Sequence, residues 1–107
     1  MTPGKTAAQA GHAFLGAFLL CAEKPRLAHY HKDLPQSPGT KVCLRVRNLD
    51  QPLSAEHAAR SAGLSTFRVV DSGCKNFFGG QPVITALGIG PATKAELQHI
   101  TKKLKLL

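Results

Sequence analysis

The sequence predicts an α/β fold, and three observations carry that expectation. Stretches with small and apolar residues at helical spacing are interleaved with runs that alternate apolar and polar every second residue, the two periods that separate helix from strand. Glycine or proline stands near most changes of period. The chain has 107 residues and 43% hydrophobic content. That reads as a single domain over residues 1–107, able to bury roughly two thirds of its unfolded surface. With five Phe, one Tyr and no Trp, its core must be largely aliphatic.

The elements follow in order. Pro3 suits an early helical turn, and the Ala-rich stretch after it predicts a helix to about Glu23. Its expected buried stripe is Ala8, Gly11, Leu15, Phe18, Leu19 and Ala22, with Lys5, Gln9, His12 and Gly16 on the opposite side. Pro25 interrupts, and Arg26 to Leu34 is expected as a short second helix before the loop from Pro35 to Gly39. Thr40 to Arg47 alternates: Val42, Leu44 and Val46 point one way, Lys41, Cys43, Arg45 and Arg47 the other, which predicts a strand. Leu53 to Ala62 is expected as a helix capped by Ser54 and stopped by Gly63. Thr66 to Val70 predicts a short strand ending at Asp71, Ser72 to Gly80 a loop, and Pro82 to Ile89 the most apolar strand. Thr93 caps a last helix through Leu104, with Leu97, Ile100 and Leu104 facing inward.

Charge points to the partner. Fourteen Lys and Arg against six Asp and Glu give a net +8, which biases the chain toward polyanionic partners, RNA or DNA first. No apolar run approaches the ~20 residues of a membrane span, and Phe14 to Cys21 lacks the cleavage motif of a signal peptide, so no membrane partner is expected. Cys21, Cys43 and Cys74 are odd in number and widely spaced, with no CxxC. Free thiols in a reducing cytoplasm fit them better than a disulfide framework or a zinc site.

The candidate chemistry lies at two places. Lys5, Gln9 and His12, at i, i+4 and i+7, fall on one face of the first helix near its N-terminus, where a cation, an amide and an imidazole can bind an anion and move a proton. Asp71 ends a strand, and ligands of open α/β sheets bind beyond such strand ends. A carboxylate there can orient or deprotonate water while the ammonium stabilises an anion. Gly4-Lys5-Thr6 also reads as the tail of a phosphate-binding loop, but the first glycine and the feeding strand of that motif would precede Met1. His29 and His31 lack a third ligand at usable spacing, and no metal is expected. Cys74 with His12 as its base is a weaker nucleophile reading.

Four motifs in order then resemble one family. Gly4 to Ala13 is similar to the G-K-x-A-A-Q-x-x-H-A signature of the type-2 peptidyl-tRNA hydrolases. Val70-Asp71-Ser72-Gly73 resembles their D-A-G turn, Ala86 to Pro91 their G-I-G-P strand end, and Ile100 to Leu107 their closing V-T-x-x-L-K-L-L. The resemblance implies a mixed central β-sheet, four strands in the family and three legible here, sandwiched between helical layers. It implies metal-free and cofactor-free hydrolysis of the ester between a nascent peptide and the 3′ ribose of tRNA, which returns tRNA to translation. Carried over, Lys5, His12 and Asp71 become catalytic positions, and Gln9, Ser72 and Gly73 become substrate-binding. Asp71 would orient or activate water, Lys5 would hold a phosphate or offset the oxyanion, and His12 would relay a proton or anchor the terminal adenosine. Lys41, Arg45, Arg47, Lys75 and Lys102 are candidate tRNA contacts, and a homodimer is an allowed assembly.

Two departures stand beside the match. The family follows D-A-G with Arg-Thr-Gln, and its Thr is counted in the active site. Here Cys74-Lys75-Asn76-Phe77-Phe78 replaces it in a longer loop, leaving Lys75 and Asn76 as the polar groups. The family's first strand also precedes the position of Met1, so a start upstream is expected. The second reading is therefore a module of the same fold that binds tRNA or protein without cleaving an ester, and a third is a hydrolase of another ester or amide.

Overall fold

The computed structural model describes residues 2–45, 50–71, 83–102 and 104–107. Helix α1 spans Pro3–Leu20, α2 Lys24–Tyr30, α3 Asp50–Ser61 and α4 Lys94–Thr101. Strand β1 is Leu44–Arg45, β2 Thr66–Asp71, β3 Val83–Ile89 and β4 Lys105–Leu106. The α/β class is observed. Among the described residues the strands form two antiparallel ladders, β2–β3 and β1–β4, where a single mixed sheet was expected.

Helical layers do lie on both faces of the β2–β3 ladder. Gly16 of α1 sits under the Phe67 ring, whereas Glu56 of α3 holds Arg68 through two charge-assisted hydrogen bonds, one of 2.6 Å from Arg68 Nε. Adjacent residues of a strand face opposite ways, so α1 covers one face of β2 and α3 the other. Thr66, on the Arg68 side, also accepts from Arg60 of α3 at 3.1 Å.

The buried face of α1 is not the expected stripe. Ala13 and Ala17 are buried, while Leu15 and Leu19 are 57% and 69% exposed. Close approach decides the difference. A Cβ on Gly88 of β3 would collide with the Ala13 carbonyl, so the helix lies directly on the strand through its smallest residues. Bulky Leu15 and Leu19 cannot enter so narrow a contact. The Ser65 hydroxyl tightens it further, 2.8 Å from the Ala17 carbonyl and 2.6 Å from that of Gly90.

Several boundaries move for local reasons. Helix α1 stops at Leu20, with the Cys21 N–H closing on Phe18. Pro25 stands in the first turn of α2 and opens it, since a proline there forfeits no hydrogen bond. Helix α3 begins at Asp50, which puts the expected cap Ser54 inside it. Helix α4 keeps its Thr93 cap, reciprocated by Glu96 in a capping box, but ends at Thr101. The tail then turns to strand: β4 pairs Leu44↔Leu106 and Arg45↔Lys105, and the Leu107 N–H donates to Cys43 O at 3.0 Å. Of the strand expected over Thr40 to Arg47, only Leu44 and Arg45 are strand among the described residues.

Two arginines tie the layers. Arg26 of α2 grips Glu96 of α4 with both guanidinium nitrogens, at 2.6 and 2.9 Å, and Glu23 with its Nε. Arg26 therefore holds the Glu96 carboxyl down at about 2, with the Thr93 N–H adding to the effect. Glu56, buried at 5% exposure, is likewise held below the ordinary carboxylate range, by Arg68 first.

Candidate active site

Helix α1 opens with Pro3 at N1 and the Thr2 hydroxyl accepting from the Lys5 N–H at 3.2 Å. This fixes the first turn and with it the base of the Lys5 side chain. Ala17 lies level with Ser65 and Gly90, and Ala13 with Gly88, which pairs with Phe67. Moving back along α1 therefore moves back along β3 and forward along β2. From Ala13 to Lys5 is about 12 Å of helix. From Gly88 to Val83, the pairing partner of Asp71, is about 17 Å of strand. The start of α1 and the end of β2 thus lie toward the same end of the β2–β3 ladder.

Lys5 and Asp71 share that end. Gln9, one turn on, is half-buried against the interior, and His12 is exposed about 10 Å along the helix axis from Lys5. The three fall on one side of α1, at the margin of its buried face rather than opposite to it. A bulge shapes the strand end: Val69 faces Ala86 but Val70 faces Ile84, so Thr85 is the extra residue. Its hydroxyl donates to Val69 O at 3.3 Å. Ser72, Gly73, Cys74, Lys75 and Asn76, with Arg47, lie outside the described residues.

The basic residues divide. Lys41 is engaged locally, donating to the Pro38 and Gly39 carbonyls at 3.2 and 3.1 Å and lying 5.4 Å from the Tyr30 ring centroid. Arg45 and Lys102 are exposed and border the same large cavity as Lys94, while Lys105 stands directly across the ladder from Arg45. Lys94 and Lys105 escaped the sequence reading. For Lys105 the signal was the alternation Lys103-Leu104-Lys105-Leu106, a strand period that the helix expected through Leu104 overran. Glu23, Glu56 and Glu96, three of the six acids, are consumed by arginines in the ion pairs described above. This leaves the rim of Arg45, Lys94, Lys102 and Lys105 strongly positive.

All of residues 1–107 match the family model described as Peptidyl-tRNA hydrolase PTH2. A peptidyl-tRNA hydrolase of Methanothermobacter thermautotrophicus is 36% identical over 107 residues, which cover 100% of this chain and 89% of that protein. That of Methanopyrus kandleri is 34% identical, covering 100% and 88%. Peptidyl-tRNA hydrolase 2 of Saccharomyces cerevisiae is 34% identical over 110 residues, 99% of this chain and 52% of that protein.

Proposed function

This chain belongs to the peptidyl-tRNA hydrolase PTH2 family, and from that premise we propose that it cleaves the ester of peptidyl-tRNA where the start of α1 meets the end of β2. The family carries the reaction; the placement rests on one observation, the antiparallel run of α1 along β2 that brings Lys5 and Asp71 to a common end. Asp71 orients a water and takes its proton as the oxygen attacks the ester carbonyl. Lys5 offsets the charge of the tetrahedral oxyanion. Cleavage returns the 3′ hydroxyl to tRNA and releases the peptide as a carboxylate.

His12 lies about 10 Å along the helix axis from Lys5. Its role in this reading is to hold the terminal adenosine, with Gln9 between the two as a substrate-positioning amide. Ser72, Gly73, Lys75 and Asn76 follow Asp71 directly and complete the substrate-binding set. The rim of Arg45, Lys94, Lys102 and Lys105 takes the phosphates of the acceptor arm. Residues 1–107 act as one domain in the cytoplasm, and the exposed Leu15 and Leu19 of α1 offer an apolar stripe for a homodimer, which sedimentation can check.

Release of peptide from peptidyl-tRNA tests the placement. Asp71→Asn is expected to lower kcat about 100-fold or more, the range of general-base catalysis. Lys5→Ala should lower kcat, and His12→Ala should chiefly raise KM. Wild-type release by Asp71→Asn would place the chemistry elsewhere.

A further inference from the structure

The buried Glu56 carboxylate of α3 serves more than one arginine. Arg68 of β2 reaches it from Nε at 2.6 Å and also from Nη2. Arg60, one turn along α3, brings its Nη2 to 3.8 Å from the same Oε2. Arg60 is held a second time, its Nε donating to the Thr66 hydroxyl at 3.1 Å. Since both guanidiniums approach one oxygen, the Arg68 Nε and the Arg60 Nη2 lie no farther apart than those two distances laid end to end.

A tie between helix and strand needs one arginine for one carboxylate. Here two share it, and among the described residues one positive charge is left over. The Arg68 side chain is 44% exposed and that of Arg60 65%, so the carboxylate forms a floor and the two guanidinium forks a surface above it. Among the described residues neither Nη1 meets an acceptor, which leaves each arginine N–H groups for an outside anion. Their other nitrogens are already fixed, and this removes much of the rotamer entropy that a flexible cation loses on binding. Among the described residues no part of β2 borders the cavity flanked by Arg45 and Lys102. The pair is therefore a separate positive centre rather than an extension of that rim.

We propose that Arg60 and Arg68 form a second phosphate-binding site, which takes one phosphodiester group of the tRNA between their guanidiniums. The inference rests on peptidyl-tRNA as the substrate. A phosphodiester suits the pair in charge and in shape. Its single negative charge balances the positive charge that Glu56 leaves over, and each of its two free oxygens accepts from one fork. Charge-assisted bonds of about 2.8 Å on either side fit one such group between nitrogens so spaced. The tRNA is then gripped on two flanks, by the rim of Arg45, Lys94, Lys102 and Lys105 and by this pair on the α3 face of β2. Arg68 stands three residues before Asp71, about 10 Å of strand, which keeps the second grip close to the proposed site of cleavage.

Fluorescence anisotropy of labelled deacylated tRNA with the full 107-residue chain tests the pair. Arg60→Gln leaves the Glu56–Arg68 bonds in place and should weaken binding about threefold or more. It should also lower the slope of log affinity against log salt by about 0.7 to 0.9. Arg68→Lys keeps a charge within reach of Glu56 but loses the fork, so binding should weaken while most of the slope remains. The double variant should cost less than the two single losses multiplied, because one phosphate is shared. Lys32→Gln removes an exposed charge elsewhere and should change affinity by less than about twofold. Circular dichroism checks each fold, and Arg60→Gln beside Lys32→Gln decides the matter even where Arg68→Lys fails to fold. Equal losses for those two variants would overturn the proposal in favour of net charge alone. Single losses that multiply in the double variant would overturn the shared phosphate. Wild-type tRNA binding by Arg60→Gln, in a chain that releases peptide, would refute the pair by itself. A folded chain that neither binds tRNA nor releases peptide would instead refute the substrate reading beneath it.

Discussion

The β2–β3 and β1–β4 ladders are both antiparallel pairs, yet different forces hold them. The first is six to seven residues long, with α1 pressed onto one face through Gly16, Gly88, Ala13 and Ala17, and α3 pinned to the other by Glu56 and Arg68. The second is two residues long and ends in Leu106 and Leu107, 69% and 68% exposed. One is fixed by steric fit and buried charge, the other mainly by its own few backbone bonds. Asp71, proposed above to act on the attacking water, ends a strand of the more firmly held ladder. The β1–β4 margin carries exposed Arg45 and Lys105, and the long-range attraction of such cations for phosphates tolerates a softer support.

Gly88→Val attacks the first ladder at its tightest contact and should have the largest effect. The added carbons meet the backbone of Ala13, which cannot move aside without lifting α1, and a loss of about 3 kcal/mol is expected. Gly16→Ala meets the Phe67 ring, a side chain able to turn, so about 1 kcal/mol is expected there. Urea unfolding of the two variants measures the contrast. Equal costs would mean that α1 does not rest on β3 through Gly88.

Acid should loosen both regions through their carboxylates. Glu96 sits at about 2 and Glu56 is also lowered, both from an ordinary 4.5 in the unfolded chain. Groups depressed on folding contribute stability that is complete above the unfolded value and lost as pH falls through the folded one. The Tm is therefore expected to hold above about pH 4.5 and to fall towards pH 2. Glu56→Gln should flatten the part owed to the first ladder, and Glu96→Gln the part owed to the α2–α4 tie beside the second. Retention of the wild-type slope by both would show that acid acts on other groups.

Leu106→Ala should cost less than about 0.5 kcal/mol, because the side chain is mostly in water already. Thermal melts can set it beside Gly88→Val. A cost approaching that of Gly88→Val would show that the second ladder is as tightly built as the first.

The same contrast explains what was legible in the sequence. Strands β2 and β3 and the capped start of α4 were readable because their signals are local: alternation, a closing Gly90-Pro91, and a Thr93–Glu96 box. The candidate face of Lys5, Gln9 and His12 was readable from helical spacing alone. The buried face of α1 was not, because Ala13 and Ala17 are buried by the approach of β3 rather than by their own hydrophobicity, which Leu15 and Leu19 exceed. Pairing of β1 with a strand about sixty residues away is equally non-local, and no period within Thr40 to Arg47 encodes it. Only the alternation of Lys103 to Leu106 announced β4, and the helix before it masked the signal.

The smallest predicted effect on stability bears most directly on function. Arg45 and Lys105 are direct partners across β1 and β4, and like charges so placed repel. Replacing Arg45 by Ser should therefore leave stability unchanged or raise it by about 0.3 kcal/mol. If the cations meet tRNA phosphates, the same change should weaken tRNA binding and lower the slope of log affinity against log salt by about 0.7 to 0.9, one contact's share. Lys105→Ser should repeat both results, whereas Lys41→Ser should lower the slope less, because Lys41 is spent on the Pro38 and Gly39 carbonyls and the Tyr30 ring. A ladder that gains stability as it loses affinity would show that the repulsion is retained for the polyanion. Unchanged salt slopes would instead remove the β1–β4 margin from the tRNA path and leave the β2–β3 end to bind alone.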